Sequence, residues 1–378
     1  MIESDDNIAP WLIKAKVSPP RRNYAAFFRE GVKERLSDAR QFAVSLIEAP
    51  AGFGKSTLLA EWAEELKEQN VVAAWLSAEE ADDPDSFVSY LAFAFHVAGL
   101  DMSEHGLLSS HFKGENRIAF GLNALIAAIE RSEKPAILVL DDFDRTAADV
   151  INLVVSRLLT NLPENLHLLI ACRHNPGLSL SRVEIEGLLR RIGAEELRLG
   201  LAEVHKIFDP RLSEADAELI VERTAGWPVV IQLLKSVCGS NPVERHERIT
   251  NFSGDSEQAA AYFSEQLFDS LTGEQRQFLE ETSVLERVSA RLADDLRRST
   301  DSHALINSLV SLGSLFPENE PGGEIRRLHP LLREHLERKL QRNNPQWHAE
   351  LHSRVSHEKL VIRSCLSTGL LPHTDFSN

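Results

Sequence analysis

A parallel α/β sheet covered by helices, with helix-dominated domains after it, is the fold class predicted by this 378-residue sequence. Three observations carry that expectation. FAVSLIEAPAGFGKST, residues 42–57, is an apolar run that breaks into a glycine-rich loop and then into a helical pattern. AILVLDD, residues 136–142, is a second apolar run that ends in two carboxylates. Strand-like runs alternate with helical patterns up to about residue 200, after which the strand signal fades.

Residues 1 to about 40 form a polar lead-in with Pro19-Pro20 and the basic pair Arg21-Arg22. The first strand, at 42–48, delivers the chain into Ala49-Pro50-Ala51-Gly52-Phe53-Gly54-Lys55-Ser56-Thr57. This reads as a phosphate-binding loop. Gly52 and Gly54 let the backbone curl so that successive N–H groups, with those of Ala51, Phe53 and Thr57 in the set, face a polyphosphate. Lys55 reaches toward β/γ oxygens and Ser56 toward Mg²⁺. The following helix presents its positive N-terminal end, and its apolar positions Leu58, Leu59, Trp62, Ala63 and Leu66 recur at helical spacing. Ala49 stands where such loops begin with Gly.

Further strands are expected at 72–77, 136–140, 167–172 and, weakly, 196–199. An apolar run ending in acids is common in buried strands, but about 85 residues beyond a phosphate loop it reads as that loop's partner. Asp141 is then the residue that holds Mg²⁺ through its water shell, and Asp142 the one that orients the attacking water. Asp82-Asp83-Pro84-Asp85 resembles a cation cluster, yet Pro84 before FVSYL fits a helix start capped by Asp83. His348, His352 and His357 come near helical spacing with no accompanying acid or cysteine set, which argues against zinc. Helical periodicity dominates from AEVHKIF onward, broken at Gly239-Ser240-Asn241-Pro242 and by the acidic turn from Pro317 to Gly323.

Composition narrows the function. With 43% hydrophobic residues, a chain of this length can bury more than one core. A net charge of −16 repels phosphate backbones and argues against DNA binding by general electrostatics. Cys172, Cys238 and Cys365 are odd in number and widely spaced, which suits reduced thiols in the cytoplasm. The N-terminus carries acids where a signal peptide carries bases, and no apolar stretch reaches membrane-spanning length.

Several ordered stretches resemble one family, the MalT-like regulators among the STAND signalling ATPases of the LuxR-type class. They are LIKAKVSPPR, APAGFGKSTLLAEW, AAWLSAEEADDPDSFVSYL, LVLDDFD, LLIACRHNPGLSLSRV, TAGWPVVIQLL, FLEETSVLERVSA and RRLHPLLREHLERKL, reaching nearly to residue 355. The resemblance implies an α/β P-loop NTPase domain with an added central strand, then a helical domain, then a winged-helix domain. The corresponding segments are 1–40 as lead-in, 41–200 as nucleotide-binding domain, 201–255 as small helical domain, 256–345 as winged helix and 346–378 as tail. It also implies that Arg173 senses the terminal phosphate, where residue type alone suggests a solvated strand-end arginine. Pro228 of Gly226-Trp227-Pro228 would pack near adenine, where the tripeptide alone reads as a helix stop. His329 would contact ADP phosphates, where its position before Pro330 alone suggests a capping or surface histidine.

Carried to function, the resemblance implies an ATP/ADP switch with Mg²⁺, in which ADP keeps a closed form, ATP favours an open, self-associating form, and slow hydrolysis resets it. An inducer of unknown identity is implied as well. Two other readings stay open at this level. One is a mechanochemical or clamp-type ATPase; the other is a non-hydrolysing nucleotide-binding scaffold, since Asp142 is one methylene shorter than the Glu common at that position. Members of this group continue through a sensor array and a DNA-binding helix-turn-helix. In SHEKLVIRSCLSTGLLPHTDFSN the family-like text stops and no helical pattern is legible, so the expectation is a truncated or frameshifted end, with DNA binding confined to full-length members.

Overall fold

The computed structural model describes residues 8–20, 41–102, 107–108, 117–175, 177–208, 212–238, 241–268, 271–311, 318–319 and 325–368, with side chains placed for all of these but 242, 243, 266, 310, 311, 318, 319 and 357–368. Arg21-Arg22, Gly239-Ser240, most of the acidic turn at 317–323 and the last ten residues lie outside this set. The chain divides into two compact units, Met1–Ile207 and Phe208–Asn378.

Unit one is built on a five-stranded sheet: β1 (Val44–Glu48), β2 (Val72–Ser77), β3 (Ala136–Asp141), β4 (Leu166–Cys172) and β5 (Leu189–Gly193). Its order is β2-β3-β4-β1-β5, and every pairing is parallel. β4 is therefore the added central strand, hydrogen-bonded to β1 on one side and β3 on the other. Strands paired on both edges and covered on both faces read as near-continuous apolar runs. LHLLIAC is buried along its whole length and AILVLD likewise. Parallel strands need crossovers, supplied by α1 (Lys55–Glu68), α2 (Pro84–Val97) and α3 (Arg117–Ser132). The helical positions predicted for α1, Leu58, Leu59, Trp62, Ala63 and Leu66, are all buried.

Asp83 caps α2 as its sequence suggests, accepting from the backbone N–H of Asp85 and Ser86 at 2.9 and 3.0 Å, while Ser86 completes the reciprocal capping box. Asp82 turns inward instead and bonds Lys16, which also pairs with Glu79 at 3.2 Å and lies 4.6 Å from the centre of the Tyr90 ring. The lead-in is thus tied to the loop after β2. The fifth strand differs from expectation: the weak signal at 196–199 falls on a short helix, Ala194–Leu197, and on the turn after it. β5 is LRRIG, an edge strand whose arginines stay partly exposed, so it lacks the apolar run by which a covered strand is recognised.

Unit two contains α4 (Glu214–Thr224), α5 (Pro228–Val237), α6 (Pro242–Asn251) and α7 (Glu257–Gln266). Next come α8 (Gly273–Thr282), α9 (Ala290–Arg297) and α10 (Ser302–Ser311), a hairpin of β6 (Glu318–Asn319) with β7 (Arg326–Arg327), and α11 (Pro330–Asn343). Three helices followed by an antiparallel hairpin make a winged helix, and Val288 extends the wing by bridging to Arg326. α12 (Pro345–Thr368) follows. It continues through a stretch in which the sequence shows no helical pattern, because SHEKLVIRSCLST contains no Pro or Gly to stop a helix already begun. Glu281, itself buried, ties these helices together: it pairs with Arg297 at 2.8 Å and accepts from the Trp347 indole at 3.3 Å. Arg354 also donates to the Leu296 carbonyl at 2.6 Å.

Gly254 fixes where α11 begins. A Cβ there would lie 1.8 Å from the Leu331 carbonyl oxygen and 3.0 Å from the His335 nitrogen, both backbone atoms that cannot swing aside. Gly254→Ala is expected to destabilise unit two by about 1–3 kcal/mol or more, read as an earlier urea midpoint in tryptophan fluorescence. An unchanged midpoint would show that α11 shifts freely.

Candidate functional site

In an open parallel sheet, ligands bind beyond the C-terminal ends of the strands. Three adjacent strands, β1, β4 and β3, end there in Ala49, Arg173 and Asp141-Asp142 respectively. The Ala49 N–H is bonded to the Cys172 carbonyl at 3.2 Å, so the loop leaves the sheet directly beside the end of β4.

The loop geometry is that of a phosphate cradle. Gly52 and Gly54 have φ of 78° and 72°, left-handed values that glycine adopts without Cβ strain. Gly54 is the N-cap of α1 and Lys55 its first residue. Phe53 is buried and anchors the loop; Ala51 and Ser56 are half-buried and Thr57 is exposed on the first helical turn. The Lys55 ammonium donates to the Ala49 and Pro50 carbonyls, the latter at 2.9 Å, which leaves one of its three protons for another acceptor. Burial lowers its pKa, opposed by the charges of Asp144 and Asp141.

Asp141 is 4% exposed and its pKa is raised to about 6, chiefly by burial, against a hydrogen bond from Ser56 that favours the ionised form. Its Oδ1 is buried with no hydrogen-bond partner. A buried carboxylate oxygen next to a serine hydroxyl is a donor pair suited to a hard cation, so Ser56 and Asp141 fit Mg²⁺. Asp142 is half-buried, with φ of 51°, at the point where β3 passes into a helical turn.

Asp144 is the site residue that reading the sequence missed. It accepts from the Arg173 N–H at 2.8 Å, its second oxygen lies 3.9 Å from Arg173 Nε, and its side chain is 7% exposed. The third acid of LVLDDFD thus holds the end of β4 beside β3 through the Arg173 backbone, with the half-buried guanidinium within ion-pair range of the same carboxylate. The signal was present as D-D-x-D, but only the strand order shows that β4 lies next to β3.

Within unit two, Ala225 and Gly226 end α4 with φ of 46° and 67°, and Pro228 opens α5. Gly-Trp-Pro is therefore a stop and a start in succession. His329 is 2% exposed, so it is not a surface residue, and it occupies the N-cap position of α11 without a side-chain capping bond. Its Nε2 lies 2.8 Å from the Thr224 carbonyl, which can only accept, and its ring meets Trp227 edge-on at 4.9 Å.

Comparison with known proteins agrees with this geometry. Residues 29–171 match the AAA ATPase domain and residues 264–348 the MalT winged helix domain. The chain is similar to MalT over most of its length. It is 26% identical over 341 residues to the HTH-type transcriptional regulator MalT of Cronobacter sakazakii, covering 87% of this chain and 37% of that one. It is 29% identical over 319 residues to the serine/threonine-protein kinase PknK of Mycobacterium tuberculosis, covering 82% and 28%. The chain thus spans only about a third of the length of these relatives. A Walker-type ATPase of Pyrococcus abyssi shares the fold at 14% identity, with a TM-score of 0.55 over 84% of this chain and 98% of that one. Among the described residues no helix is long and apolar enough to cross a membrane.

The raised pKa of Asp141 has a defined sign. With no cation bound, the folded chain holds this proton more tightly than the unfolded one, so the group's contribution to stability is present at low pH and is lost as pH rises through about 6. A cation held by Asp141 would compete with that proton. Mg²⁺-dependent nucleotide affinity should therefore fall by up to about tenfold per unit below that pH, as measured by calorimetry between pH 5 and 8, and Asp141→Asn should flatten that dependence.

Proposed function

We propose that this chain is the ATP/ADP-binding switch module of a MalT-like transcriptional regulator, in which slow ATP hydrolysis resets an ATP-promoted, self-associating state. The observation that carries this reading is the convergence of a phosphate cradle, a paired acid and a tethered arginine at the ends of three adjacent parallel strands. In this reading the backbone of 51–57 and Lys55 bind the phosphates, Ser56 and Asp141 hold Mg²⁺, Asp142 orients water, and Arg173 senses the terminal phosphate. Bound Mg²⁺ would supply charge neutralisation at the phosphates.

The two curated relatives carry different names, a transcriptional regulator and a protein kinase, and each is several hundred residues longer than the stretch it shares with this chain. A stretch common to such different proteins suits a control module whose output depends on its neighbours. A switch also requires that the two states differ in affinity for the nucleotide, because a ligand bound equally by both shifts nothing. His329 and Pro228 are the residues of unit two assigned to that difference, the first toward phosphate and the second toward adenine.

Lys55→Ala should weaken ATP binding without unfolding the chain, and Asp142→Asn should keep binding while lowering turnover by about 100-fold or more. Unaltered affinity in the first, or parental turnover in the second, would remove the residue from its role. His329→Ala should speed release of a fluorescent ADP analogue in stopped flow by about 5- to 150-fold if it carries a typical coupling energy and should increase solution size without inducer. An unchanged off-rate with unchanged size would confine His329 to packing against Trp227. Fast turnover stimulated by DNA would instead identify a clamp-type ATPase, and tight binding without turnover a scaffold.

A further inference from the structure

The histidines of the last helix acquire in the fold the acid that their sequence neighbourhood lacks. α11 and α12 pack against one another, which brings Glu337 of α11 to His348 and His352, one turn apart on α12. His352 Nε2 lies 3.0 Å from Glu337 Oε1 and 3.1 Å from His348 Nε2, and His348 Nε2 lies 3.8 Å from the same Glu337 oxygen. Two imidazole nitrogens and one carboxylate oxygen therefore lie within 4.8 Å of one another. We propose that Glu337, His348 and His352 form a binding site for a zinc-class divalent ion.

Spacing, donor type and support all favour it. Ligands at about 2.0–2.1 Å in a tetrahedron stand roughly 3.3 Å from one another, and the three separations of 3.0, 3.1 and 3.8 Å bracket that value. Two imidazoles with one carboxylate suit zinc over magnesium, which prefers an all-oxygen shell. The site is also held from outside. Arg333 Nη1 is 3.8 Å from Glu337 Oε2, which leaves Oε1 to the histidines. Trp347 is hydrogen-bonded to Glu281 and Leu351 is fully buried, so α12 is anchored along the face adjoining the two histidines. His348 is largely buried and His352 is 43% exposed at its side chain, which gives an ion a route in and a fourth position for water or another ligand. Such an ion would cross-link the last helix of the winged helix to the helix that follows it.

The alternative is a metal-free trio, in which the His352 Nε2–H is shared between Glu337 and the lone pair of His348 Nε2. Titration of the whole chain with Zn²⁺ against a chromophoric chelator, and with Co²⁺ followed by visible absorption, separates the two. A single ion per chain with tetrahedral Co²⁺ bands is expected. The double variant His348→Ala with His352→Ala should lose at least about 100-fold in Zn²⁺ affinity, since even outer-shell partners of metal ligands are worth about 10- to 100-fold. Glu337→Gln should weaken binding less, and Lys55→Ala should leave it unchanged, which keeps this site distinct from the phosphate loop. No Co²⁺ bands in the parent chain, or equal Zn²⁺ affinity in parent and double variant, would overturn the proposal. The parent measurement stands even if the double variant fails to fold.

Discussion

Everything at the phosphate loop depends on β4 being inserted between β1 and β3. Parallel pairing fixes which ends of the strands lie together, and a central strand sets the lateral distance between the loop after β1 and the acids after β3. That gap is occupied by Arg173 and held by Asp144. The cost of the arrangement is that β4 must be buried along its length, and it is, with His167 the one polar side chain in it, its Nδ1 2.5 Å from the Phe42 carbonyl oxygen. Even Cys172 at its end is fully buried, with its thiol pushed up to about 12 by that burial, so it is inert rather than nucleophilic.

Around that centre, charges attract one another while burial opposes ionisation. Lys55 and Asp141 face opposite-sign neighbours, yet desolvation is the larger influence on each, lowering the ammonium's pKa and raising the carboxyl's. Burial thus shifts each group toward its neutral form relative to a solvated counterpart. Phosphate and cation together would supply the countercharges that the protein interior withholds, so the site is poised for a charged ligand rather than stabilised without one.

Most of this was legible in the sequence because apolar runs and glycine spacing are local signals. β1 to β4, α1 and the Asp83 cap were readable from neighbours a few residues apart. What escaped notice depended on distance along the chain. β5 is a polar edge strand known only by its pairing with β1, Asp144 acquires its meaning from Arg173 29 residues later, and Glu337 meets His348 and His352 only after a helix turn reverses the chain. The continuation of α12 to Thr368 escaped for another reason: its residues lack amphipathic order, yet nothing in them breaks a helix. Whether His329 is buried could not be read from its neighbour Pro330; it is decided by Thr224 and Trp227, about a hundred residues earlier.

The left-handed backbone at Asp142 bears on why an aspartate stands there. With φ of 51°, this residue occupies a region where Asp and Asn are enriched among non-glycine residues because their short polar side chains can bond locally. The identity of the acid therefore answers to the path of the chain as well as to the reach of its carboxylate. A glutamate here would extend the carboxylate by one methylene and at the same time burden the turn that leaves β3. Acid length alone is then a poor guide to hydrolytic competence, since two physical demands meet on a single side chain.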